Sequence, residues 1–512
     1  MRRKLQVSGT LALISLILTA PTVPSTVAIG WSAPSRLDTT TFIDYVPSAT
    51  RDSQGRLWVF WEGVRIQPTI RQDIYYKIYS QSMWLNYTLT NDAWEDITPA
   101  AVGLQNGAMF VVWASKRSGN YDLYYVTITN GIRSGESQIT TGPTDDWGPT
   151  VVQGRDNRIW VFWNKSVSNS FDIYYRVYDG ISWSVEQSLT TDAAVDLTPA
   201  ALVAKNGNLW VAWASYRTGK YEIFEKAYDG STWSPDRQMT SNPANDNESP
   251  ALLQDSDGML WLFWNRVLPA PMGRFQTDIY YKTSPDNGVS WSETETPLTS
   301  TPDFSENDPT AIQSSDRRLW IFYSSNLAGG STYDLFYSTS DPILTHDVAV
   351  KGVKASPERV RYNASALVEV ILANLGDFSE TVELRVYVNS TLTFSQVTNL
   401  APMETKIASF PYNTLGTKPG RYLLDASVTP VAGETLVNQF DNSVTGARLH
   451  ILPPGDMDQD GDVDILDAGT VILAFDSVPG SPNWNRDADV DTDDDVDIVD
   501  VAITLLWFDT VT

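Results

Sequence analysis

Six times along the chain the same order of short runs returns. In the clearest copy, Pro149-Thr150-Val151-Val152 leads to Ile159-Trp160-Val161-Phe162-Trp163. A loop follows, then Asp172-Ile173-Tyr174-Tyr175, then Asp179-Gly180-Ile181-Ser182-Trp183, and finally Leu189-Thr190. The copies begin at Pro47, Pro99, Pro149, Pro199, Pro250 and Pro309, at a step of about 50 residues. A unit this short cannot bury its own apolar face, so neighbouring units must stack. Runs such as Leu57-Trp58-Val59-Phe60-Trp61 and Leu260-Trp261-Leu262-Phe263-Trp264 are apolar at every position. A strand with one wet face would alternate, so these are covered on both sides.

Each copy divides into four strand-length runs, which is the pattern of a β-propeller blade. The short Pro-x-Ala/Val run suits the crowded axis. The all-apolar run comes next, then Asp-Ile-Tyr-Tyr, and the run from Trp183 to Thr190 is outermost. The sixth copy stops near Pro342 without its outer run. The missing piece is found at the other end, where Trp31-Ser32-Ala33-Pro34-Ser35-Arg36-Leu37 reads like Trp183 to Leu189. An N-terminal strand completing the last blade closes the ring and leaves no free edge. The expected fold class is therefore mainly β: a six-bladed propeller over residues 31–341, a β-sandwich over 346–452 and a small helical domain over 455–508.

Composition narrows the chemistry. The 512 residues contain no cysteine, so disulfide and thiol chemistry are excluded. The two histidines, His346 and His450, lie outside the repeats. The net charge of −26 argues against nucleic acid as a partner. Much of it is concentrated after residue 455, where sixteen aspartates face one basic residue, Arg486. Such a concentration suggests bound cations. At the other end, Arg2-Arg3-Lys4 followed by the apolar stretch Leu11 to Ala20 reads as a secretory signal peptide cleaved near Ala28. An uncleaved anchor is the alternative. No other run is long enough to span a bilayer, so an extracellular, secreted or surface-associated protein is expected. Sequons at Asn86, Asn164, Asn247, Asn363 and Asn389 would permit glycosylation.

Two polar features recur in the repeats. An acidic residue stands three before the proline at Asp44, Asp96, Asp146, Asp196 and Glu306, with Asn247 in the fifth copy. These side chains either ring the central opening, as a rim for cations or polyhydroxyls, or accept backbone N–H bonds in the turn into Pro. Basic residues follow the second strand at Arg65, Arg117, Lys165, Arg217 and Arg266. Arg117 with Asp122, and Arg217 with Glu222, either pair across a hairpin or build a cleft for an anionic sugar. No catalytic set can be placed. The acids that break the repeat are Glu62, Glu95, Asp145 and Glu225, and two opposed carboxylates are not identifiable among them.

The run Ser115-Lys116-Arg117-Ser118-Gly119-Asn120-Tyr121-Asp122-Leu123-Tyr124 resembles TolB-type propeller repeats. Ser284-Pro285-Asp286-Asn287-Gly288-Val289-Ser290-Trp291 resembles the Asp-box of sialidase-like propellers, a structural turn that implies no catalysis. A sialidase would also need an arginine triad and a Tyr/Glu pair, which this chain does not display in sequence.

From His346 to Leu452 apolar and polar residues alternate in about seven short runs, as in an immunoglobulin-like sandwich. Asn374-Leu375-Gly376 and Asp441-Asn442-Ser443 give this segment a resemblance to the CARDB family, which implies a spacer or adhesive module.

The sharpest motif is last. Asp456-Met457-Asp458-Gln459-Asp460-Gly461-Asp462-Val463-Asp464-Ile465-Leu466-Asp467 places oxygens at loop positions 1, 3, 5, 9 and 12, with the Asp462 carbonyl at 7 and Gly461 at the sharp turn. A second loop carries Asp489, Asp491, Asp493, Asp495, Asp497 and Asp500, with Asp494 where glycine belongs. Helices are expected over 468–475 and 501–508. The pair of loops resembles a type I dockerin, which implies two calcium ions and docking to a cohesin-like partner. Its partner-selecting positions are apolar here, Ile465-Leu466 and Ile498-Val499, so packing on the same chain stays open. Three functions follow: a non-catalytic glycan-binding or adhesion protein, a polysaccharide-degrading hydrolase or lyase, and a pure assembly module.

Overall fold

The computed structural model describes residues 29–38, 42–65, 70–168, 170–270, 274–302, 304–328 and 332–511. The expected leader, residues 1–28, lies outside them. The chain is mainly β. The repeats form six separate antiparallel sheets, five of four strands and one of five. In the third sheet the strands Asp146–Gln153, Ile159–Val167, Ser170–Tyr178 and Gln187–Ser188 lie side by side in chain order. Each innermost strand touches its counterpart in the next sheet, and that of the sixth, Glu306–Gln313, touches Ile43–Arg51 of the first. The inner strands thus follow one another in a closed circuit.

The outer strand of the sixth sheet is N-terminal. Ser35 and Arg36 pair with Tyr337 and Phe336, Trp31 bridges Ser340, and Leu37 N–H donates to the Leu335 carbonyl at 2.7 Å. Elsewhere the outer strand is shorter than its sequence run. In the third sheet it is Gln187–Ser188 with an isolated bridge from Trp183 to Tyr178. The inner strands are longer than the Pro-x-Ala/Val run, because each begins at or before the acidic position, as in Asp96–Gly103.

The core lies between sheets. Trp113, Trp163, Trp213 and Trp264 are fully buried on the second strands. Trp163 packs against Phe110 and Val112 of the preceding sheet, and Trp213 against Phe162. Each such side chain contributes on the order of 3 kcal/mol or more, which is why the second strands read as unbroken apolar runs.

Residues 348–452 form a sandwich of a three-stranded and a five-stranded sheet. Its core holds Val350, Val368, Val370, Leu384, Leu424 and Leu449. Arg359–Arg361, which the alternation did not reveal, pairs in parallel with Ser443–Leu452. The sandwich rests on the ring: Thr435 Oγ1 donates to the Asp257 carbonyl at 2.7 Å, and Arg317 pairs with Asp377. Two helices, α1 (Ile465–Ala474) and α2 (Ile498–Leu506), pack together at the C-terminus. Arg361 joins this unit to the sandwich through Asp487 at 2.9 Å. No helix among the described residues is long and apolar enough to cross a membrane.

Candidate functional site

Every inner strand carries a bulge just before its proline. Val46, Thr98, Gly148, Thr198, Ser249 and Asp308 all have positive φ, between 48° and 63°, and the pairing register slips there in each sheet. Proline supplies no N–H to the ladder, and a bulge re-aims the side chain it displaces. The displaced side chains meet around the circuit. Ser249 Oγ donates to Asp308 Oδ1 at 3.0 Å, and Gly148 N–H donates to Thr98 Oγ1 at 3.1 Å.

At this level Glu62 and Glu248 each interact electrostatically with Asp308. Glu62 faces Tyr45 across the first sheet. It accepts from Gln72 Nε2 at 2.8 Å and from Thr98 N–H of the next sheet at 3.3 Å. Burial pushes its pKa up to about 7, with Asp308 and Glu95 adding to the shift. Burial likewise raises Glu248, helped by Asp246 and Asp308. Asp308 is raised by burial, opposed by hydrogen bonds from Ser249 and Ser324. Among the described residues no basic side chain offsets Glu248 or Asp308. Aromatic rings stand at the same end of the sheets. Tyr45 lies 5.5 Å from Tyr333, and Trp147 lies 6.0 Å from Phe171. Tyr121 donates its hydroxyl to Glu95 Oε2 at 2.8 Å, and its N–H to Asp145 Oδ1 at 2.9 Å.

Sequence reasoning flagged Glu62 and missed its partners. A signal was present: Asp308 is the one acid directly before a repeat proline, and Glu248 the one acid two before it. The remaining singular acid, Glu225, lies apart from the three and is held by Arg237 Nε at 2.7 Å.

The recurring acids are not a rim. Asp44, Asp96, Asp146, Asp196 and Asn247 have no exposure. Asp44, Asp146 and Asn247 each accept from the buried tryptophan of their own sheet, Trp61, Trp163 and Trp264, at 2.9 Å. They fasten inner strand to second strand. The basic residues are committed too, and not to the expected hairpin partners. Arg117 pairs with Asp96 at 3.2 Å and with Glu136, while Asp122 takes Ser118 and Thr140 hydroxyls. Arg217 pairs with Asp192, Asp196 and Asp236, and Lys165 with Asp146 and Glu186. Arg266 bonds Asn247 at 2.8 Å and Glu295 at 2.5 Å. Arg65 stacks over Phe42 and Tyr75 at 4.8 and 5.3 Å. Among the described residues, Arg117, Lys165, Arg217 and Arg266 are thus paired with acids of their own sheets.

Two of the five sequons are also ruled out as surface sites. Asn164 and Asn247 are fully buried, Asn164 accepting from Thr198 N–H at 2.8 Å.

The C-terminal loops gather carboxylates. Oxygens of Asp456, Asp458 and Asp460 lie within 4.8 Å of one another, as do those of Asp462, Asp464 and Asp467. The second loop repeats this with Asp489, Asp491 and Asp500, and with Asp495, Asp497 and Asp500; Asp493 lies between and donates its N–H to Asp489 at 3.1 Å. Asp494 takes the left-handed conformation at φ 69°, as Gly461 does at φ 106°. Asp456 Oδ1, Asp462 Oδ1 and Asp495 Oδ1 are screened from water without a hydrogen-bond partner. An all-oxygen donor set with orphaned oxygens suits a hard cation. Burial, with Asp467 and Asp460 nearby, pushes Asp456 up to about 6. The helices start three residues earlier than expected, because Asp464 and Asp497 cap them in boxes completed by Asp467 and Asp500. Ile465, Leu466, Ile498 and Val499 are exposed rather than packed on the chain.

No family profile matches the sequence, and no curated protein does. Among solved structures, the chain is similar to a protein of unknown function from Dyadobacter fermentans, at 12% identity over 62% of this chain and 99% of that one, with a TM-score of 0.49. It is similar to an α-L-arabinanase of Penicillium chrysogenum, at 12% identity over 60% and 99%, with a TM-score of 0.46. A CARDB domain from Pyrococcus furiosus is 29% identical over 22% of this chain and 97% of that one, with a TM-score of 0.19.

Proposed function

We propose that this is a secreted modular recognition protein. Residues 31–341 form a six-bladed propeller that binds a glycan at one end of its axis, residues 346–452 are a spacer, and residues 455–508 take up two calcium ions and dock a partner. The observation that carries the reading is Asp308, flanked by Glu62 and Glu248 and close to Tyr45 and Tyr333. Carboxylates without basic neighbours accept hydrogen bonds from sugar hydroxyls, and the rings can cover a sugar's apolar face. In the tail, the Asp456–Asp467 and Asp489–Asp500 carboxylates would hold the ions, which would offset their mutual repulsion. The exposed Ile465, Leu466, Ile498 and Val499 would meet a cohesin-like protein.

A glycan array probed with the full chain tests the first claim. Binding should fall about tenfold or more in Asp308→Asn and Tyr45→Ala. An array without hits, or hits indifferent to both substitutions, would end this reading.

A second reading, a polysaccharide hydrolase, is favoured by one fact. Burial pushes Glu62 up to about 7, within reach of an acid's role near neutrality, and Asp308 stands close enough to act on it. Reducing-sugar release that vanishes in Glu62→Gln would move the assignment there.

A further inference from the structure

At the end of the ring opposite the three carboxyls, the sandwich leaves a cleft of about 560 Å³. Lys205 and Asn206, from the turn between the first two strands of the fourth sheet, form one wall with Asn287 of the fifth. Asp347, Val437, Asn438, Phe440 and Asp441 of the sandwich form the other. The walls are braced from behind. Gln254 Nε2 donates to Asn287 Oδ1 at 3.0 Å, Asn438 Nδ2 donates to Asp257 Oδ1 at 2.8 Å, and Lys351 pairs with Asp441 at 3.0 Å.

The bracing leaves particular atoms uncommitted. Asp347 Oδ1 and Asp441 Oδ1 accept nothing although little water reaches them. Asn287 spends its oxygen on Gln254 and Asn206 its oxygen on the Asn208 N–H, so both amide nitrogens are free to donate. Asn438 spends its nitrogen, so its oxygen is free to accept. Donors therefore come from the ring and acceptors from the sandwich. At the lip, the Phe440 ring is 77% exposed. A molecule dense in hydroxyls, each able to donate and accept, satisfies both walls at once, and an aromatic lip covers its C–H face. An anion would meet Asp347 and Asp441, since Lys205 Nζ is turned to the Ser256 carbonyl at 2.6 Å and its charge is offset by Asp347, and an apolar ligand would strand the amides.

We propose that this cleft is a binding site for a neutral mono- or disaccharide, separate from the end of the ring that carries Glu62 and formed only when ring and sandwich are joined. Burial and the neighbouring Asp441 hold Asp347 at about 6, and hydroxyl donors would restore the solvation this carboxylate has lost.

The test is calorimetric titration of the full chain with cellobiose, maltose and lactose. It compares the wild type, an N206A/F440A double variant whose changes are on exposed side chains, and D308N at the other end. At least one disaccharide should bind, and its affinity should fall about tenfold or more in the double variant, whereas binding lost in D308N belongs to the site at the other end of the ring. If none of the three binds, or the double variant binds like the wild type, the proposal is overturned. Loss in D308N alone also overturns it, while leaving the ring-end reading standing.

Discussion

Asp44 lies on the first inner strand, at the seam where the N-terminal segment completes the ring. It has no exposure, and its Oδ1 accepts from Trp61 Nε1 at 2.9 Å. Around it stand Asp38, paired with Lys77 at 2.9 Å, and Asp334, paired with Arg36 at 2.6 Å. Burial, then Asp38, push its pKa from 3.8 up to about 8. Since the folded state holds this proton more tightly than the unfolded chain, its contribution to stability is full below about pH 4 and is lost as pH rises toward 8. At about 1.4 kcal/mol per unit, the loss is at most on the order of 6 kcal/mol. Asn247 fills the same position in the fifth sheet as a neutral amide and accepts from Trp264 at the same 2.9 Å. Asp44→Asn should therefore remove this titration. The difference in melting temperature between variant and wild type should be small at pH 5 and favour the variant at pH 8.5, by up to about 10 °C for a unit of this size. Thermal melts followed by tryptophan fluorescence at both pH values measure it. A variant that is less stable at pH 8.5, or keeps the wild-type slope, refutes the shared-seam reasoning.

Chelation should unfold residues 455–508 selectively; helical circular dichroism unchanged by EDTA would defeat the metal assignment. Removing residues 31–37 should lower the melting temperature of the ring by several degrees, because the Leu335 carbonyl and the strand Asp334–Thr339 lose their outer partner; an unchanged melt would argue against closure by the N-terminus. Expressed in a glycosylating host, the chain should carry sugar at the exposed Asn86, Asn363 and Asn389, and peptide mass spectrometry should find none on buried Asn164 or Asn247. Replacing Ile465 and Leu466 by serine should leave the melt within about 1 kcal/mol of wild type, since both side chains are exposed; strong destabilisation would mean that they pack internally.

Much of the architecture was written in order along the chain. The apolar runs, the strand sequence within each sheet, the pairing of residues 35–36 with the last repeat and the Asp spacing of the tail are local patterns, and period and spacing expose them. The site was legible only in part. Glu62 stands out within its own repeat, but Glu248 and Asp308 lie about 190 and 250 residues further along. Asp308 comes near Glu62, and Glu248 near Asp308, only because the circuit closes. The Arg and Lys partners were misjudged for the same reason: sequence neighbours such as Arg117 and Asp122 suggest a hairpin pair, whereas strand stacking brings Asp96 and Glu136 to the guanidinium.

Sequence alone determined which segments become strands and in what order they stack, because burial on both faces demands unbroken apolar runs. Only the tertiary structure decided which polar groups are free. Whether an acid is a buried fastening to a tryptophan or a carboxyl open to ligand depends on what the neighbouring sheet places against it, and no spacing along the chain records that.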